Sequence, residues 1–184
     1  TRGKVLATAL QLFTRQGYFN TSVSQIVRVS GCSTGSIYHH FGDKEGIANA
    51  LFEALVARID ALFDDIERRH SGAAERCRAV IELLFTLTEA EPEVMEFVLY
   101  ARHREFLPER GPICSARPFR KMRDFVARGM ETGEVRVVDP VVAAASVYGG
   151  ALRMIHLRLD GVLERPLGEF LDEVWACAWR SVAP

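Results

Sequence analysis

The sequence predicts an all-α protein, three short helices followed by a larger helical body. Apolar residues return again and again at i, i+3, i+4 and i+7, the spacing that gives a helix one buried face. Caps, first-turn prolines and terminal glycines punctuate those segments at helical lengths. No stretch alternates with period two for long enough to demand a sheet; Val135 to Val138 is the one weak candidate.

The chain has 184 residues, 48% of them hydrophobic and 26% charged, with mean hydropathy +0.04. That balance buries a core and excludes disordered, collagen-like and low-complexity classes. The longest apolar runs, 140–146 and 147–152, fall short of the roughly 20 residues of a spanning helix. Thr1-Arg2-Gly3-Lys4 leads straight into an amphipathic segment with no secretory h-region, and Thr in first place leaves open whether the natural start is present. Cys32, Cys77, Cys114 and Cys177 form no C-x-x-C pair, which points to a reducing, cytoplasmic setting rather than to a disulfide framework or zinc knuckle.

The first helix, 2–16, carries Val5, Leu6, Ala9, Leu12 and Phe13 on one face and stops at Gly17. Ser22 and Gln25 have capping-box spacing and start a short second helix with Val23, Ile26 and Val27 that ends near Ser30-Gly31. Ser33 caps a third, 34–41, and Gly42-Asp43 breaks it before a long helix from Lys44 to about His70. After Ser71-Gly72 the pattern predicts helices over 73–90 and, opened by Pro92, over 93–106. Three prolines and Gly111 make 107–118 a loop. A helix over 119–131 closes at Gly133, Asp139-Pro140 launches one to about Asp160, and Pro166 opens the last, to about Ser181.

Charge is unevenly spread. No acid precedes Asp43, and residues 1–42 hold Arg2, Lys4, Arg15 and Arg28, so a +4 head sits on a body of −5. A basic head fits a polyanion. Residues 22–41 also fit a helix-turn-helix, with Gly31 at the tight turn and Ile26, Val27 and Ile37 where the two helices must pack. The second of these helices then projects Ser33, Thr34, Ser36, Tyr38 and His39, hydrogen-bonding side chains with no acid among them, a face that can enter a major groove. A helical hairpin that merely packs would show the same spacing, with Tyr38 and His40 covering its core.

Leu12-Phe13, Gly17-Tyr18, Thr21-Ser22-Val23, Ile26, Gly31, Gly35-Ser36-Ile37-Tyr38-His39-His40-Phe41 and Lys44-Glu45 together resemble the N-terminal signature of the TetR family of transcriptional regulators. The resemblance spans about 45 residues; Val27 stands where the family usually has Ala, and Cys32 where it often has Val. It implies a helix-turn-helix DNA-binding domain over 1–46 and a ligand-binding and dimerisation domain over 47–184. It also implies a homodimeric repressor released from double-stranded operator DNA by a small-molecule effector. Position by position, it assigns Tyr38 and Lys44 to phosphate, Thr34, Ser36 and His39 to base edges or nearby phosphate, and Ser22 and Ser24 to phosphate at the head of the second helix. Ser33 also matches a DNA-contacting position.

The body offers matching material. Small residues crowd 141–151, and Ala144, Val147 and Ala151 with Leu171, Val174, Trp175 and Ala178 are the expected dimer interface. Phe85, Phe97, Tyr100, His103, Phe106, Met122, Phe125, Tyr148 and His156 are the expected walls and polar groups of an effector pocket. Arg102, His103 and Arg104 would suit an anionic effector, though a solvated charged face explains them equally. Cys114, near Arg110 and Arg117, has the cationic surroundings of a redox-sensitive thiol, whereas Cys77 and Cys177 read as buried small apolar groups. No H-E-x-x-H pattern, phosphate-binding glycine loop or nucleophile elbow occurs, so no catalytic residue, metal ligand, cofactor or membrane partner is assigned.

Overall fold

The computed structural model describes residues 1–109 and 113–184, and of Cys114 the backbone alone. Arg110 and the Cys114 thiol, on which the redox expectation rests, lie outside the described residues. The described chain folds into helices without a strand. The backbone of 135–138 is instead tied off at Gly129 O (Val135 N, 2.9 Å) and Val182 O (Arg136 N, 2.9 Å).

Two compact units emerge, Thr1–Arg58 with Glu93–Ser115, and Ile59–Pro92 with Ala116–Pro184. The first begins with α1 (Arg2–Gln16), α2 (Val23–Ser30) and α3 (Thr34–Phe41), continues into α4 (Lys44–Arg69), and adds α6 (Pro92–Tyr100) and the short α7 (His103–Phe106). Val5, Ala9, Phe13, Ile26, Ile37, Ile47 and Ala48 make the buried centre beneath the three short helices, and Met95, Phe97 and Phe106 are buried on α6 and α7. The predicted single helix over 93–106 is interrupted at Ala101-Arg102, where Arg102 leaves helical geometry (φ −78, ψ 67).

The second unit is built from the end of α4, α5 (Ala73–Ala90), α8 (Arg117–Thr132), α9 (Pro140–Leu159) and α10 (Leu171–Arg180). Helices α5, α8 and α9 pack on one another, with α10 against α9 and α5. Phe63, Val80, Ile81, Phe85, Phe125, Val126, Val147 and Ile155 fill the core. The α8 helix starts two residues before the predicted 119, because Pro118 sits in its first turn instead of ending a loop. A 3-10 turn, Leu167–Phe170, precedes α10 where an α-helix is expected from Pro166.

Polar groups are placed with economy. Gly72 has no side chain with which to cap α5, and Glu134 does so instead, accepting the Ala73 and Ala74 N–H groups at 3.0 and 3.2 Å. Those N–H groups, Ala73 first, hold its carboxyl below the usual range. Asp60, almost wholly buried, pairs with Lys121 (3.0 Å) and Arg117 (3.3 Å). Glu89 takes Arg158 (2.9 Å) and the Leu167 N–H (2.9 Å). Cys77 is buried as expected and accepts the Tyr148 hydroxyl at 3.1 Å, and burial pushes its thiol up to about 11. Cys177, expected inside, is exposed. By length and composition alone α9 (20 residues, mean hydropathy 1.2) meets the measure of a membrane-crossing helix. One face of it, however, is spent on the unit's own core.

Candidate nucleic-acid interface

The helix-turn-helix is assembled by local chemistry. Ser22 Oγ accepts the Gln25 N–H at 3.2 Å while Gln25 Oε1 accepts the Ser22 N–H at 2.8 Å, so α2 begins in a closed capping box. The preceding turn is fixed by buried Thr21, whose hydroxyl donates to Gly17 O at 2.9 Å. Gln16 Nε2 spans from α1 to Asn20 O (2.9 Å) and Gln25 Oε1 (3.3 Å). Gly31 closes α2 in the left-handed region, φ +66, with its N–H on Val27 O at 2.9 Å. Any other L-residue there would cost about 1–2 kcal/mol.

On α3 the Ser33 hydroxyl caps the Ser36 N–H at 3.2 Å. Ile37 is 1% exposed and Ile26 fully buried, which anchors α3 on α1 and α2. Their burial leaves the opposite side of α3 outward: Ser33, Thr34, Tyr38, His39 and His40 are exposed, Tyr38 by 51%, and Ser36 is half-buried. Neither Tyr38 nor His40 covers the core. A capping hydroxyl accepts with a lone pair and keeps its O–H to donate, so Ser22 and Ser33 retain a donor for an external oxygen. Ser24 is exposed beside Ser22.

Lys44 is more engaged than its sequence reading implies. Its Nζ donates to Tyr18 O at 3.0 Å and lies 4.2 Å over the Tyr18 ring. Tyr18 takes one of the three ammonium donors. Burial, then the Glu45 and Asp43 carboxylates, raise the Tyr18 phenol above its usual range. Sequence reasoning passed over this contact because its partners are 26 residues apart. It also passed over Gly46, where a Cβ would lie 1.8 Å from Phe41 O, so the turn from α3 into α4 admits only glycine. Asp43 Oδ1 holds that turn from the Gly46 N–H at 2.7 Å.

The expected effector residues divide between the units. Phe97, Tyr100 and Phe106 line a cleft of about 280 Å³ within the first. His103 is buried behind it among Phe52, Phe97 and Phe106, with Nε2 lacking a hydrogen-bond partner. Burial drives its pKa down to about 4. In the second unit Phe85, Met122, Phe125 and Tyr148 are buried in the core, and His156 Nδ1 lies 2.7 Å from Leu152 O. Among the described residues no group of three or more His, Cys, Asp or Glu is placed to hold a metal ion.

Of the expected interface residues, Ala178 on α10 and Ala144, Val147 and Ala151 on α9 are buried within their own unit. The same helix instead exposes Val142, Ser146, Gly149 and Gly150. A groove of about 510 Å³ runs between α9 and α10 past Ser146, Gly150, Val174, Cys177 and Ala178. Leu171 and Trp175 are half-buried, the latter stacked on Trp179 at 5.1 Å.

Residues 5–51 match the family model described as bacterial regulatory proteins, tetR family. The HTH-type transcriptional regulator HbdR of Aromatoleum sp. (strain CIB) is 39% identical over 71 residues, covering 39% of this chain and 30% of that protein. LmrA of Bacillus subtilis (strain 168), also an HTH-type transcriptional regulator, is 34% identical over 93 residues, 48% of this chain and 50% of its own. The chain thus spans half or less of these curated relatives. Among solved structures, FadR of Bacillus subtilis in complex with stearoyl-CoA superposes with TM-score 0.82 at 18% identity, covering 97% of both chains. A TetR family transcription regulator from Marinobacter aquaeolei VT8 gives 0.78 at 21%, over 99% of this chain and 95% of that one. At these identities the likeness is one of fold.

Proposed function

We propose that this chain, whose residues 5–51 match the model for the tetR family of bacterial regulatory proteins, is a TetR-family homodimeric repressor that leaves its operator when a small-molecule effector binds. The observation that carries the reading is the outward side of α3, which presents Ser33, Thr34, Tyr38 and His39 from a helix anchored by Ile37, in a stretch without an acid before Asp43. Thr34, Ser36 and His39 read base edges or nearby phosphate. Tyr38, Lys44, Ser22, Ser24 and Ser33 hold the backbone, helped by free N–H groups at the helix N-termini.

Residues 1–46 form the DNA-binding part and 47–184 the effector-binding and dimerisation part, acting in the cytoplasm as a regulator and not as an enzyme. Two protomers join through α9 and α10, using the exposed side of α9 with Leu171, Val174, Trp175 and Ala178. Two recognition helices engage one operator only when their separation matches about one helical turn of DNA or a multiple. The effector releases DNA by favouring another separation, with a coupling free energy commonly of about 1–3 kcal/mol. Helix α4 is continuous from Lys44 to Arg69 and contributes to both units, which makes it the route for that coupling.

Fluorescence anisotropy on sites selected from random DNA tests the reading. With roughly 6–10 phosphate contacts, raising salt from about 50 to 200 mM should weaken binding by about 10³–10⁵. Binding that ignores salt would refute it, and equal operator affinity with and without a saturating effector would refute the switch.

A further inference from the structure

We propose that Lys4 and Arg28, which flank the turn at Gly31, grip phosphates of the DNA backbone alongside α2, in addition to the contacts assigned above to α3 and Lys44. A Cβ built on Gly31 would lie 3.7 Å from Lys4 Nζ, so the ammonium carried by α1 reaches across to the end of α2. Arg28 stands in the last turn of α2, before that glycine. Both residues are exposed, and among the described residues neither side chain has an ion pair or a hydrogen bond. No acid precedes Asp43 in the chain. Glu93 of α6 lines a shallow depression with Lys4 but does not pair with it.

The side of α2 that carries Arg28 follows from the burial of Ile26. At about 100° per residue, Ser24 and Arg28 both come round opposite Ile26, one above the other and about 6 Å apart along the axis. Ser24, also exposed, is already assigned to phosphate, so Arg28 and Lys4 extend that contact from the head of α2 to its foot. Long cationic side chains on helices other than α3 suit contact without sequence preference, because phosphate oxygens recur at every base step. A cation at a helix C-terminus also steadies the helix. That role alone would move Tm and leave the salt dependence of DNA binding where it was. The proposal rests on the operator-binding reading of α3, and its test separates the two.

Anisotropy titrations between about 50 and 200 mM salt, on a selected operator and on an unrelated duplex, provide that test. The variants are Lys4→Ala, Arg28→Ala, the two combined, and Arg136→Ala, which removes an exposed cation of the second unit and matches the change in charge. A slope of about −0.9 per phosphate contact makes each contact worth about eightfold in affinity at 0.1 M salt. Lys4→Ala and Arg28→Ala should each weaken both duplexes by about that factor and flatten the slope by about one, and the combined variant by about two, with base preference kept. Lys4→Arg should keep the natural slope, and circular dichroism should be unchanged throughout. A natural slope in both single variants, with or without a lowered Tm, would overturn the proposal, as would equal flattening by Arg136→Ala. A natural chain that binds neither duplex would overturn the operator reading as well; one that binds while Lys4→Ala and Arg28→Ala leave the slope alone overturns this proposal only.

Discussion

Lowering the pH should destabilise the first unit through one side chain. His103 is 4% exposed, ringed by Phe52, Phe97 and Phe106 at 5.0, 5.1 and 5.7 Å, and its Nε2 meets no donor. Burial lowers its pKa from 6.5 to about 4. The difference favours the neutral form by about 3 kcal/mol in the folded state. Because the folded pKa lies below the unfolded one, the unfolded chain takes the proton first; stability is level above about 6.5 and falls as pH drops towards 4. Between pH 7.5 and 5.0 the loss works out at about 2 kcal/mol. Asp64, Glu89 and Glu134 have lowered values, so their contributions disappear only at more acid pH. Urea unfolding at half-unit steps from pH 7.5 to 5.0, on the natural chain and on His103→Leu, isolates the effect. The natural chain should lose about 2 kcal/mol more than the variant across that range. Parallel profiles would refute the reasoning.

Three further outcomes follow from single contacts. Gly46→Ala forces a Cβ onto Phe41 O and should cost at least about 1–3 kcal/mol, read as a lowered Tm, with weakened DNA binding as α3 shifts. Glu134→Ala removes the acceptor for the Ala73 and Ala74 N–H groups and should cost about 0.5–2 kcal/mol in thermal unfolding. Lys44→Ala should weaken all DNA sequences alike and flatten the salt slope by about one. It should also lose about 0.5–1 kcal/mol of stability with its place over Tyr18, whereas Tyr18→Phe, which keeps ring and carbonyl, should spare both.

The sequence was most legible where signals are local. The bounds of α1, α2, α3 and α5 fall where Gly17, the Ser22–Gln25 box, Gly31, Ser33 and the Ser71-Gly72 break place them. Caps and left-handed glycines act over four residues and leave little for tertiary context to decide. The break between α6 and α7 carries no glycine or proline; buried His103, held among rings from three helices, accompanies it, and no window of sequence displays that packing. The α9 stripe misled for a related reason. Small residues admit a close neighbour without saying whether it comes from the same chain, and Ala144, Val147 and Ala151 meet their own core. Lys44 was legible as a cation at a family position, but its Tyr18 contact spans 26 residues and so escaped a reading made from local windows.

The central claim is that the outward side of α3 reads DNA. Anisotropy titrations of the natural chain, Thr34→Ala and His39→Ala against a selected operator and its single-base variants test it most directly. Each substitution should relax preference at particular base pairs, by about 1–3 kcal/mol per lost base contact, while the salt slope is kept. Unchanged affinity and unchanged base preference in both variants would contradict it.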